Sequence, residues 1–188
     1  MKNLQILLGT IVFLGMTISG CGQEPPDTLT SKVYESCCGT EPVEFNHPNL
    51  AIYLYVPNVF TPNGDGINDK FAPVINGQIR AINYMVIQKE VTDDTTSTLL
   101  YQVEDFDVAE LANYAWDGKN PKGEMHVGLF KYTISFSAQN GMNYGVKGGG
   151  CSIICGPEAA VFKNKSGCFF SIQGDSSGHL NTILPNKG

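Results

Sequence analysis

The residues of this 188-residue chain best suited to chemistry are the side-chain oxygens of one short loop and a set of six cysteines. Thr61-Pro62-Asn63-Gly64-Asp65-Gly66-Ile67-Asn68-Asp69 places Asn63, Asp65 and Asp69 at alternating positions, and Gly66 permits a sharp turn. This is part of the pattern of an Asp-x-Asn-x-Asp-Gly loop for Ca²⁺, where alternate side chains and one backbone carbonyl, here that of Ile67, aim oxygens at a hard cation. Thr61 stands where such a loop opens with Asp, and the closing bidentate Glu is missing. The same residues also read as an Asx-turn loop whose side chains bond backbone N–H groups. Ca²⁺ is the one cofactor the sequence suggests, and nothing in it requires a cofactor.

Catalytic signatures do not appear. His47, His126 and His179 are the only histidines, and they sit in three separate segments. There is no Gly-x-Ser-x-Gly, His-Glu-x-x-His or phosphate-binding loop. No spacing singles out a carboxylate pair for glycoside hydrolysis. The expectation is a protein that is not an enzyme. A small disulfide-stabilised hydrolase is a weaker reading, which a pocket of convergent titratable groups would revive.

The cysteines divide by position. Met1-Lys2-Asn3, an apolar stretch over 4–18 and the small residues Ser19-Gly20 before Cys21 have the anatomy of an export signal. Ile18-Ser19-Gly20-Cys21 resembles the bacterial lipobox, in which the Cys thiol is alkylated by a diacylglyceryl group and becomes the mature N-terminus. Each acyl CH₂ buried in lipid is worth about 0.8 kcal/mol, so several chains make a lasting anchor. Export permits disulfides. With Cys21 spent, Cys37, Cys38, Cys151, Cys155 and Cys168 remain, an odd number that leaves one thiol over after two bridges. The expectation is a bridge from Cys37 or Cys38 to Cys151 or Cys155, with Cys155–Cys168 as the competitor. The spacings do not match a zinc site.

The elements that must position these residues are strands. The chain is rich in glycine (21) and carries 10 prolines, and no long amphipathic helical pattern appears. Residues 50–56 alternate, with Ile52, Leu54 and Val56 on one face. Further strands are expected over 82–87 and 98–103, and a helical turn or loop over 109–114. The clearest pattern is 128–138, where Phe130, Tyr132, Ile134, Phe136 and Ala138 share a face. Asn140-Gly141 then signals a hairpin with both turn residues at positive φ. A return strand over 143–154 is expected to be interrupted at Gly148-Gly149-Gly150 by a bulge or flexible link. Trp116, the single Trp, reads as a core residue between sheets, with an exposed ligand platform as the alternative. Asp117 is expected to cap the turn at Gly118.

The run Asn58-Val59-Phe60-Thr61-Pro62-Asn63-Gly64-Asp65-Gly66-Ile67-Asn68-Asp69-Lys70-Phe71, followed by Trp116-Asp117-Gly118, Gly123 and Gly128-Leu129-Phe130-Lys131-Tyr132-Thr133-Ile134, resembles the gliding motility-associated C-terminal domain of the Bacteroidetes. The resemblance covers roughly residues 56–154. It implies an immunoglobulin-like sandwich in which Phe60, Pro62, Gly64, Gly66, Trp116, Asp117 and Gly118 are structural positions. Family members usually end their chain with this module and use it as a sorting signal for secretion across the outer membrane. Here a Cys-containing tail follows, a lipobox precedes, and Tyr84-Met85-Val86-Ile87-Gln88-Lys89 replaces the family's Asn-Arg-Trp-Gly segment.

The fold class expected is all-β, an immunoglobulin-like antiparallel β-sandwich. Residues 1–20 read as a lipoprotein signal peptide, 21–36 as lipidated N-terminus and linker, 37–155 as the sandwich, and 156–188 as a Cys-containing extension. The net charge of −6 argues against nucleic acid as a partner. The expected setting is the cell envelope: a lipid anchor in a membrane, the outer one by preference, facing the periplasm or the surface. The expected partner is an envelope or secreted protein, with a link to gliding or secretion machinery. The alternative is a glycan-binding or adhesin accessory role, for which Tyr34, Tyr53, Tyr55, Tyr114 and Tyr144 are the candidate exposed aromatics.

Overall fold

The computed structural model describes residues 32–64, 68–90, 96–154, 173–174 and 180–181. After a short helix α1 (Lys32–Glu35), eight strands follow in order: β1 (Val43–Asn46), β2 (Tyr53–Val56), β3 (Val59–Phe60), β4 (Val74–Ile75), β5 (Ile79–Glu90), β6 (Ser97–Asp107), β7 (Gly128–Ala138) and β8 (Asn143–Ser152). They form a sheet of three, β1-β2-β4, and a sheet of five, β3-β8-β7-β5-β6, packed as an all-β, immunoglobulin-like sandwich. A further short antiparallel ladder pairs Gln173–Gly174 with Leu180–Asn181.

One pairing departs from the antiparallel expectation: β3 runs parallel to β8, with Val59 opposite Cys151 and Phe60 opposite Ser152. The long connection between them allows it, since parallel neighbours need a crossover.

Alternation along β7 sets the core. Phe130, Tyr132, Ile134 and Phe136 are buried and face Ile82, Met85 and Ile87 of β5 and Ile52, Leu54 and Val56 around β2. Tyr55, assigned by alternation to the outer face, is buried as well. β5 and β6 extend well beyond the segments expected from their apolar stretches, because both edges of β5 are paired along its length.

The hairpin between β7 and β8 forms, but its geometry differs from the expected two-residue turn. Gly141 has φ +80° while Asn140 does not reach positive φ, and the loop is closed by the Ala138 N–H donating to the Met142 carbonyl. Three residues therefore make the turn, with glycine in the left-handed place.

The glycine run does not interrupt β8. Gly148 lies opposite Tyr132 and Gly150 opposite Phe130. A Cβ on Gly148 would stand 2.6 Å from Tyr132 Cζ, and one on Gly150 would stand 2.5 Å from Phe130 Cζ. The missing side chains are the space into which the two rings lie.

The packed structure begins before Cys37. Tyr34 on α1 is buried in a second small core with Cys37, Val59, Cys151 and Ile153. Cys37 and Cys151 form a disulfide, 114 residues apart in sequence with Cα atoms 5.6 Å apart. Closing a loop of that length stabilises by about 4–5 kcal/mol in the chain-entropy picture. The sandwich thus has two poles. At one, the chain comes in through α1 and leaves through Ile154. At the other lie the β7–β8 hairpin and the turns after β1 and β4.

Candidate interaction site

The two sequence motifs, more than 40 positions apart, meet at the α1 pole. Asn58 starts the first. It is buried, its Nδ2 donates to the Thr40 carbonyl (2.9 Å), and its own carbonyl accepts from the Cys151 N–H (2.7 Å). Thr61 N–H donates to the Asn68 carbonyl at 2.8 Å and so closes the base of the loop. Gly64 (φ +81°) and Asn68 (φ +54°) take left-handed conformations there, which glycine and asparagine tolerate best.

Asp69 organises the described part of the loop. Its Oδ1 accepts from two backbone N–H groups, Asn63 (2.9 Å) and Gly64 (2.6 Å). This is the capping arrangement that a turn-organising carboxylate makes. Asp65, Gly66 and Ile67 lie outside the described residues. Among the described residues, no group of three or more His, Cys, Asp or Glu side chains is placed to hold a metal ion.

Phe71 ends the first motif and pairs with Trp116, which opens the second. Each N–H donates to the other's carbonyl, at 2.8 and 2.9 Å. Trp116 is fully buried, its Nε1 donates to the Lys119 carbonyl (2.7 Å), and its ring centroid lies 5.3 Å from Phe60 and 5.1 Å from Phe130. It is a core residue, not a platform. Gly118 has φ +88°, and a Cβ there would meet Met125 Sδ at 2.7 Å and Pro62 Cγ at 3.1 Å. Pro62 of one motif therefore rests on Gly118 of the other.

Asp117 caps this turn as expected, accepting from the Lys119 N–H (3.1 Å) and pairing with Lys119 Nζ (3.1 Å) in a half-exposed ion pair. Burial pushes its carboxyl up, but the hydrogen bonds from Lys119 backbone and side chain outweigh that and hold it below the usual carboxylate range.

His126 is a structural residue that sequence reasoning missed. Its N–H donates to the Gly118 carbonyl (2.8 Å), and its Nε2 lies 3.0 Å from the Leu129 carbonyl. The ring lies against Trp116 and Phe130. Burial pushes the imidazole below its ordinary value; the Leu129 carbonyl works the other way and Lys89 adds to the lowering. A lone histidine between Met125 and Val127 carries no spacing signal that would have found it.

Of the expected cysteine pairings, Cys37–Cys151 is formed among the described residues. Cys38 is disulfide-bonded too, and its partner lies outside the described residues. No cysteine among the described residues is a free thiol. Cys21, Cys155 and Cys168 lie outside them. The candidate aromatic row does not survive intact: Tyr34 and Tyr55 are buried, while Tyr53, Tyr114 and Tyr144 are half-buried on separate elements. Tyr55 is pushed up to about 12 by burial, with Tyr53 and Glu44 adding to it.

The assembly knits loops with backbone bonds around an aromatic core. No protein-family model, curated protein or solved structure matches the chain.

Proposed function

We propose that the chain is a non-catalytic envelope lipoprotein that displays an immunoglobulin-like sandwich for protein interaction or surface assembly. The observation that carries this reading is the common pole of arrival and departure. Cys37–Cys151 and the Tyr34–Ile154 contacts fasten both ends of the sandwich together. A tether attached through residues before α1 would reach the module at that pole and leave the opposite loops facing outward. The lipobox at Cys21 supplies such a tether. No helix among the described residues is long and apolar enough to cross a membrane.

The motif resemblance supports a place beside gliding or secretion machinery, because the two stretches that carry it, around Phe60–Phe71 and Trp116–Gly118, pack together in one part of this chain's core. Metabolic labelling with an alkyne fatty acid tests the anchor. Label is expected on the wild-type chain in the membrane fraction, with neither label nor membrane retention for Cys21→Ser. A wild-type chain that takes up no lipid would sink the reading. Crosslinking in intact envelopes tests the partner: an envelope or secreted protein is the expected adduct.

A further inference from the structure

We propose that the pole opposite the Cys37–Cys151 clamp is a binding tip for neutral glycans. It is built from residues 46–51, 76–78 and 139–143. Asn76 Nδ2 donates to the Ala51 carbonyl (2.6 Å), which ties the first segment to the second. Gln139 N–H donates to the Gln78 carbonyl (2.9 Å), which ties the second to the third. The His47 ring lies 5.8 Å from Tyr144, just past the third, and closes the ring of contacts. The three segments therefore form one preorganised surface, and preorganisation lowers the cost of binding.

Their composition is selective. These fourteen residues hold no Asp, Glu, Lys or Arg, in a chain where such residues make up 16%. The nearest charges in sequence, Glu44 and Arg80, stand on β1 and β5 outside the loops. Half of the fourteen are Asn or Gln. Asn49, Gln78 and Gln139 are exposed, and their side-chain amides make no hydrogen bond to other described residues. Leu50 and Met142 are the large apolar side chains exposed at this pole, at 38% and 58%.

A surface without charge offers no counter-ion to an anionic or cationic ligand. An amide presents a donor and an acceptor side by side, which matches a pair of neighbouring hydroxyls. Leu50 and Met142 supply apolar contact for the C–H faces of a sugar ring. Protein interfaces draw their energy from Trp, Tyr and Arg anchors in dry pockets. The tip has no Trp or Arg, and Tyr144 is half-buried, stacked on Phe136. At the tip the balance favours a hydroxyl-rich, uncharged ligand, and a protein partner is left to the rest of the sandwich surface.

This inference deepens the display reading and rests on it for the outward direction of the tip; the two fail separately, one on lipid labelling at Cys21 and the other on glycan binding. The purified full-length chain, disulfides intact, is to be screened against neutral glucose, mannose and galactose polymers and against sulfated and uronic-acid polymers. Binding to a neutral polymer is expected, unchanged from about 50 to about 500 mM salt. Asn49→Ala with Gln139→Ala weakens it at least about tenfold, and Met142→Ala weakens it with no hydrogen bond to lose. Tyr84→Ala, exposed on β5 away from the tip, binds as wild type. An unfolding curve matching wild type shows that each tip variant is folded. No neutral binding, binding confined to the acidic polymers, full affinity in the folded tip variants, or a tip that captures a protein in place of a glycan would each overturn the proposal.

Discussion

Tyr34 and Ile154 stand 120 residues apart and share one hydroxyl: the Tyr34 O–H donates to the Ile154 carbonyl (3.2 Å) and accepts from the Ile154 N–H (3.1 Å). A single side chain thereby satisfies both backbone groups where the sandwich ends. Tyr34→Phe should lower stability by about 1–2 kcal/mol. Hydrogen exchange is expected to quicken at Ile154 before it quickens in β7. Unchanged exchange there would mean that the disulfide alone holds this pole.

Tyr132 gives the contrasting case. Its hydroxyl is buried over Gly148 and has no hydrogen-bond partner among the described residues. Burial raises its titration well above the ordinary tyrosine value, and Tyr55 adds to the effect. Removing an unpaired buried hydroxyl removes a desolvation cost. Tyr132→Phe should therefore be neutral or stabilising by about 1 kcal/mol in denaturant titration, opposite in sign to Tyr34→Phe.

Gly150→Ala should destabilise by about 1–3 kcal/mol, since the added methyl overlaps the Phe130 ring in a full core. Phe130→Leu in the same chain should recover part of that loss. A double-mutant cycle measures the coupling. If the two changes add without coupling, the ring does not occupy the glycine's space.

His126 predicts a pH dependence. Its folded-state value is lowered from the ordinary 6.5, so the unfolded chain takes up the proton first. The stability tied to neutral His126 is complete above 6.5 and drains as pH falls from there towards the lower folded value. Denaturation midpoints from pH 8 to pH 5 should show this fall. His126→Gln, which keeps an N–H for the Leu129 carbonyl, should flatten it.

Asp69→Ala should cost about 1 kcal/mol, by stranding the N–H groups of Asn63 and Gly64. For a capping role the loss is the same in excess Ca²⁺ and in chelator. A wild-type melting temperature that rises with Ca²⁺, and an Asp69→Ala variant that does not respond, would instead make the loop a cation site.

The sandwich was legible because β7 spells its own burial, Phe130 to Ala138 in steps of two. The two motifs also marked residues that meet, Phe60 and Phe71 on Trp116 and Pro62 on Gly118. What stayed hidden depended on partners distant in sequence. Gly148 and Gly150 look like a break until Tyr132 and Phe130 lie across from them. Tyr55 looks outward by alternation and is buried by neighbours that alternation does not describe. β3 beside β8 has no local signature, because a parallel pair is fixed by the path of the intervening chain. The tip was illegible for the same reason: three neutral segments become one surface only when Ala51 meets Asn76 and Gln78 meets Gln139.

The 114-residue span between Cys37 and Cys151 has a consequence for biogenesis. Ribosomes add about 5–20 residues per second, so on the order of ten seconds separates the synthesis of one thiol from that of its mate. Throughout that interval the Cys37 thiol awaits a mate that does not yet exist, with Cys38 directly beside it. Premature oxidation, within the chain or to a neighbour, is the hazard of that wait, and native maturation depends on keeping Cys37 reduced until β8 has been made.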